Sequence, residues 1–182
     1  MVGVANKRAG FGRADRALTA LRRVYPDVGI NCVVTRQTFD GLERLFAYAR
    51  RRRANEVELL RFKPAGRGAR DDVYPQKRCT DEQHRQLLPK ILELSRRHRT
   101  RVRLDCSFTP MVVHHRPPLE LVRFLCIYGC AAGDLLVAAR AGGQLSACSF
   151  FPPTNARVDE LRAYAATESA FSTFRNYAAS PP

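Results

Sequence analysis

Helix-like and strand-like segments alternate along the first 105 residues, and this order constrains the fold more than any other feature of the sequence. Amphipathic spacing predicts helices over 13–24, 39–53 and 80–99. Short apolar, β-branched stretches predict strands over 29–35, 56–62 and 101–106. Helices that alternate with strands over short links are typical of a parallel sheet covered by helices. The sequence therefore predicts an α/β fold.

The connecting segments add three expectations. Residues 1–12 are glycine-rich and predict irregular structure. Thr80 and Gln83 form a capping-box pattern that predicts the start of the third helix. The polar stretch 63–79 predicts a long loop at the carboxyl end of the second strand. Parallel sheets bind their ligands at this end, so we expect a functional site there.

A second organising feature is the stretch from Cys130 to Cys148. Twelve residues separate Cys130 from Gly143, and four separate Gly143 from Cys148. The apolar run 135–139 predicts a strand, and 141–143 predicts a tight turn because glycine tolerates positive φ. The resulting hairpin would bring both thiols to one end, where they could share a metal or a cluster. The alternative is a pair of core cysteines.

The charge balance leaves a second class of function open. The net charge is +14, which is typical of a nucleic-acid-binding domain. However, 27 of the 31 basic residues are arginines spread over most of the chain, and the dense cluster 50–53 falls at a predicted helix end. No run approaches the ~20 apolar residues of a membrane span, and no secretory signal follows Met1. We therefore expect a cytoplasmic protein without a membrane partner and consider nucleic acid the weaker alternative.

The spacing of Cys130, Gly143 and Cys148 resembles the opening of the SPASM domain of radical S-adenosylmethionine (SAM) enzymes. Other segments resemble the same family in order. Residues 30–36 are similar to its fifth barrel strand, 56–68 (EVELLRFKPAGRG) to its sixth strand and following loop, and 171–175 to the helix after the SPASM entry. The resemblance implies the second half of a parallel (β/α) barrel over 1–115, followed by a truncated SPASM-like hairpin with helices over 116–182.

The family resemblance also implies cofactors and site residues. Asn31 and Thr35 would contact SAM from inside the barrel, although ordinary strand polarity explains them equally well. Arg61 and Lys63 lie where a cation meets a carboxylate of SAM or of substrate, or where a rim is simply solvated. Cys130 and Cys148 would be ligands of an auxiliary 4Fe–4S cluster. The substrate would be a peptide or protein.

The sequence also departs from the family pattern. It lacks the Cys-x3-Cys-x2-Cys motif that holds the SAM-binding cluster, and it lacks the later SPASM cysteines. These departures predict an internal piece of a radical SAM/SPASM oxidoreductase that is inactive alone and pairs with a missing N-terminal half. Such a piece would expose a sheet edge and an uncovered apolar face. The alternatives are a metal- or iron–sulfur-binding module, or a subunit of a split enzyme, and a basic nucleic-acid-binding domain.

Overall fold

Three parallel strands form the central sheet of the computed structural model, which describes residues 7–127, 129–133 and 136–161. The strands β1 (Gly29–Val34), β2 (Glu56–Arg61) and β3 (Arg101–Leu104) lie in the order β1-β2-β3. Val57 pairs with Ile30 on one side and with Val102 on the other. The predicted α/β class with a parallel sheet is confirmed, whereas its extension to half of a barrel stays a prediction.

The helices match the predicted positions with three corrections. They are α1 (Lys7–Val24), α2 (Arg36–Phe39), α3 (Leu42–Arg51), α4 (Tyr74–Lys77), α5 (Asp81–His98), α6 (Thr109–Val113) and α7 (Leu119–Phe124). Helix α1 begins within the stretch predicted to be irregular, because Gly10 and Gly12 lower helix propensity without preventing a helix among good formers. The predicted helix 39–53 is interrupted at Asp40 and Gly41, and Gly41 is the N-cap of α3.

The third correction concerns the predicted loop 63–79. It contains a 3₁₀ turn at Gly66–Ala69 and the short helix α4. The phenyl ring of Phe62 stacks on Tyr74 with ring centroids 5.9 Å apart. This contact holds the segment against the end of β2.

The hydrophobic core lies between one face of the sheet and the helices α3 and α5. Its fully buried side chains include Val34, Leu42, Phe46, Val57, Leu59, Leu87, Ile91 and Val102. The core side chains on each strand occupy alternate positions, as a strand with one face on helices requires. The helical spacing seen in the sequence places the apolar side of α3 and α5 against them.

The capping box at the start of α5 is confirmed. The hydroxyl of Thr80 accepts a hydrogen bond from the Gln83 amide at 3.1 Å, and the Thr80 amide donates to Gln83 Oε1 at 3.1 Å. We expect Thr80→Ala to lower the free energy of unfolding by about 1 kcal/mol, because the Gln83 amide at the helix start loses its acceptor. Urea titration measures this loss. Thr80→Ser keeps the hydroxyl and should stay close to the wild type; an equal loss in both variants would contradict the capping role.

The other face of the sheet carries charged residues beside the half-exposed Val33. Asn31, Glu58 and Arg103 are in register across the three strands. Glu56 Oε2 lies 2.9 Å from Arg101 Nε, and Glu56 Oε1 lies 3.2 Å from Arg103 Nη1. The sequence showed the alternation of arginines in β3 but not their acidic partner on the neighbouring strand.

This ion network makes stability depend on pH. Burial alone raises the pKa of Glu56, but the hydrogen bonds and charges of Arg101 and Arg103 outweigh burial and hold the pKa below its usual value. A depressed carboxyl pKa stabilises the fold above the unfolded-state pKa and loses this effect as the pH falls through the folded-state value. We expect Glu56→Gln to be less stable than the wild type at neutral pH, and the difference to shrink in acid. Urea titrations at both pH values test this, and a difference independent of pH would contradict it.

Contacts divide the chain into two units, Met1–Ile127 and Tyr128–Pro182. In the second unit, β4 (Ala138–Ala139) and β5 (Leu145–Ser146) form an antiparallel hairpin. A 3₁₀ turn follows at Val158–Glu160. The predicted helix over 169–177 lies outside the described residues, as does the family-like segment 171–175. The domain boundary predicted after residue 115 stays a prediction. Among the described residues, no helix is long and apolar enough to span a membrane.

Candidate functional site

The carboxyl ends of β1, β2 and β3 meet at one edge of the sheet. Thr35 directly follows β1, Lys63 lies two residues beyond β2, and Asp105 directly follows β3. Because parallel strands bind ligands at this edge, it is the candidate site of the first unit.

An ion pair and its hydrogen bonds occupy the edge between β2 and β3. Lys63 Nζ lies 2.7 Å from Asp105 Oδ2, and the two side chains are 20% and 11% exposed. The hydroxyl of Ser107 lies 2.6 Å from Asp105 Oδ1, to which the Arg61 amide also donates at 3.4 Å. Both carboxylate oxygens therefore have donors, and the charge of Lys63 is balanced by the protein itself.

Arg61 points toward the helix layer. It is in register with Val34, a core residue, and its guanidinium donates to the Ser107 carbonyl at 3.2 Å. Burial lowers the pKa of His84 on α5, and the nearby charge of Arg61 lowers it further. The structure thus brings Arg61 and Lys63 together around Ser107 and Asp105. The side chain of Arg61 extends toward the helices, away from the charged face of the sheet.

The other two predicted cofactor contacts have different surroundings. Asn31 is exposed on the charged face of the sheet, on the side of β1 opposite Ile30 and Cys32. Thr35 caps α2: its hydroxyl accepts from the Thr38 amide at 3.2 Å, and its own amide donates to Thr38 Oγ1 at 2.7 Å. The SAM contacts assigned to both residues stay predictions.

The structure explains why glycine occupies both positions in the segment KPAGRG. Gly66 has a φ of +53°, a conformation that other residues rarely adopt. A Cβ on Gly68 would lie 3.1 Å from the Lys63 carbonyl oxygen and 3.2 Å from the Phe62 ring. The segment therefore folds back closely over the end of β2, beside the Lys63–Asp105 pair.

Sequence reasoning missed Asp105 and Ser107. The strand predicted over 101–106 includes Asp105, and only the register shows that this residue faces those that follow β2. A signal was present: an acid directly after one parallel strand and a lysine just after another are expected to meet at the same edge.

The hairpin positions the candidate metal ligands of the second unit. Gly143 has a φ of +83° and donates its amide to the Arg140 carbonyl at 2.8 Å, which closes a four-residue β-turn. The Gly133 amide donates to the Ala147 carbonyl at 3.2 Å. This bond ties the segment that follows Cys130 to the residue that precedes Cys148.

The two cysteines differ in their surroundings. Cys130 is exposed, whereas Cys148 is half-buried and packs against Ala132 and Ala147. The sulfur of Cys148 accepts a bond from the Phe150 amide at 3.3 Å. A 4Fe–4S cluster needs about four ligands. Among the described residues no group of three or more histidine, cysteine or acidic side chains could hold a metal, so these residues do not by themselves fit a complete cluster.

Comparison with known proteins gives one informative similarity. No protein-family model matches the chain, and no solved structure matches it. Over 84 residues the chain is 40% identical to mycofactocin maturase MftC of Mycolicibacterium smegmatis. The matched stretch is 43% of this chain and 20% of that protein, so the chain spans about a fifth of the length of the relative it matches.

Proposed function

We propose that this chain is part of a radical SAM/SPASM enzyme that modifies a peptide or protein, and that it acts only with a segment carrying the Cys-x3-Cys-x2-Cys motif. The observation that carries the proposal is the 40% identity over 84 residues to a maturase. Modification of a peptide or protein is the class of activity that the radical SAM/SPASM resemblance implies. The parallel sheet and the hairpin between Cys130 and Cys148 are compatible with the same family.

In this proposal the carboxyl edge of the sheet faces SAM. Asn31, in the middle of β1, would contact SAM from the face of the sheet, because its side chain is exposed on the side away from the helices. Thr35 orders the turn into α2 through its capping bonds. Lys63, Arg61 and Asp105 shape the neighbouring edge; since Asp105 already balances Lys63, we assign this pair to positioning the KPAGRG segment.

Cys130 and Cys148 supply two thiolates of an auxiliary 4Fe–4S cluster, and the remaining ligands come from another segment or another polypeptide. The bond from Gly133 to Ala147 supports the proposal, because it joins the two chain segments that carry the thiols. When bound, the cluster would serve electron transfer or substrate positioning.

The first unit also has surfaces that suit a complementing half. Leu21 and Val24 on α1 are 45% and 71% exposed, and Val33 on the edge strand β1 is 44% exposed. Edge strands with exposed apolar neighbours are ready to pair with another chain. We propose that a further strand and its helix cover this side.

The proposal is tested by co-expressing the chain, without oxygen, with the polypeptide encoded upstream of it. We expect that polypeptide to carry Cys-x3-Cys-x2-Cys and the complex to bind iron and sulfide and to cleave SAM. Cys130→Ser and Cys148→Ser should each lower the iron bound per complex. Cys32→Ala, at a half-buried thiol packed against the core, is the matched control and should not.

Two outcomes would contradict the proposal that this chain is part of a radical SAM enzyme. An upstream region that encodes no such motif in either the same or a neighbouring chain would remove the SAM-binding cluster. Stoichiometric zinc without iron would instead favour a metal-binding module built on the same two thiols.

A further inference from the structure

A cleft between α1 and α3 combines aromatic rings with guanidinium groups. It encloses about 450 Å³ and is lined by Phe11, Arg44, Leu45, Ala47, Tyr48 and Arg51. This volume lies within the range of about 300–1,000 Å³ of small-molecule sites. We propose that this α1–α3 cleft binds a nucleotide, either free or as one unit of a single-stranded nucleic acid.

The aromatic wall of the cleft offers a stacking surface. The rings of Phe11 and Tyr48 have centroids 5.3 Å apart and are tilted by 59°. Phe11 is 58% exposed, so a ligand can reach its ring. The guanidinium of Arg51 lies 5.5 Å from the Tyr48 ring centroid. An exposed ring beside a guanidinium is a combination that stacks nucleobases without sequence preference.

The cations of the cleft are available to a phosphate. Among the described residues, neither Arg44 nor Arg51 forms a salt bridge with a carboxylate, although the charge of Arg51 helps to lower the pKa of Asp15. Arg52, by contrast, is paired: its Nε lies 2.7 Å from Asp15 Oδ1. Guanidinium groups match phosphate geometry and hold it by two parallel bonds. The lining therefore provides one surface for a flat ring and two donors for its phosphate.

Asp15 holds the aromatic wall of the α1–α3 cleft in place before any ligand binds. The Tyr48 hydroxyl donates to Asp15 Oδ1 at 2.6 Å, so Asp15 joins Tyr48 and Arg52 and links α1 to α3. Burial raises the pKa of Tyr48, and the bond to Asp15 raises it further, so the hydroxyl stays protonated as a donor. A ring held in place in this way loses little freedom when a base stacks on it.

Binding is measured by fluorescence anisotropy with a labelled single-stranded oligonucleotide at about 0.15 M salt, where attraction between exposed charges more than about 8 Å apart is largely screened. Adenosine monophosphate and inorganic phosphate serve as competitors. We expect Arg44→Gln combined with Arg51→Gln to weaken binding about tenfold or more, and Phe11→Ala to weaken it by about threefold or more. Arg96→Gln removes the same charge from an exposed position on α5 and should change the affinity by less than about twofold.

The competitors identify the source of the ligand. Competition by adenosine monophosphate at much lower concentration than phosphate supports the cleft, with a free nucleotide as its ligand. Competition by an unlabelled strand alone, with the same dependence on Arg44 and Phe11, supports it with a nucleic acid as its ligand. Equal weakening by Arg96→Gln would overturn the proposal in favour of diffuse attraction to the net charge of +14. Competition by phosphate as strong as by the nucleotide, or no binding at all, would also overturn it.

Discussion

Phe46→Ala is expected to lower the free energy of unfolding by about 3–5 kcal/mol, the largest loss that we expect from one substitution. Phe46 is fully buried on α3 and belongs to the cluster that packs α3 and α5 on the sheet. The alanine would leave a cavity that the surrounding parallel strands cannot close. Domains of this size are typically stable by about 5–15 kcal/mol, so the variant should be close to unfolding at room temperature. Urea titration followed by circular dichroism measures the loss.

The matched control is Phe124→Ala on α7. Phe124 is 46% exposed, so the same deletion removes much less buried area. Its loss should stay below about 1 kcal/mol. Similar losses in the two variants would show that the core does not lie between α3, α5 and the sheet.

Asp105→Ala is expected to destabilise the fold by roughly 3 kcal/mol. The substitution leaves the ammonium group of Lys63, whose side chain is only 20% exposed, without the carboxylate 2.7 Å away. Breaking a buried ion pair from one side costs about 3–5 kcal/mol, and partial exposure reduces this figure. The hydroxyl of Ser107 and the Arg61 amide lose an acceptor at the same time. Chemical denaturation measures the change.

A double-mutant cycle separates the pair from its surroundings. Lys63→Met combined with Asp105→Asn removes both charges, so we expect it to be less destabilised than the sum of the two single variants. Ser107→Ala should lose only about 1 kcal/mol, since it removes one hydrogen bond. Additive losses in the cycle would contradict a direct interaction between Lys63 and Asp105.

The Lys63–Asp105 pair changes how the carboxyl edge should be interpreted. From the sequence, Arg61 and Lys63 were expected either to meet a carboxylate of a ligand or to form a solvated rim. In the structure the protein supplies that carboxylate, and Arg61 bonds to the Ser107 carbonyl. In the proposed enzyme these residues hold the edge in shape, whereas Asn31 stays exposed on the sheet face.

Local sequence patterns determined the elements of this protein. Helical spacing and β-branched runs predicted three parallel strands between helices, because each pattern reports which side of a single element is apolar. The capping box at Thr80 and the turn at Gly143 were also predicted, because capping and positive φ depend on only a few consecutive residues. The interruption at Gly41 was missed, since the apolar spacing continues across it.

Only the tertiary structure decided which distant side chains meet. The register of the strands places Asp105 beside Lys63 and turns Arg61 toward the helices, and no local pattern encodes that register. The same holds for Asp15, which joins Tyr48 and Arg52 across 33 and 37 positions and so builds the wall of the α1–α3 cleft. Such contacts depend on how whole elements pack. Each partner is a single polar side chain far from the other in the sequence, so no local pattern shows that the two will form a hydrogen bond.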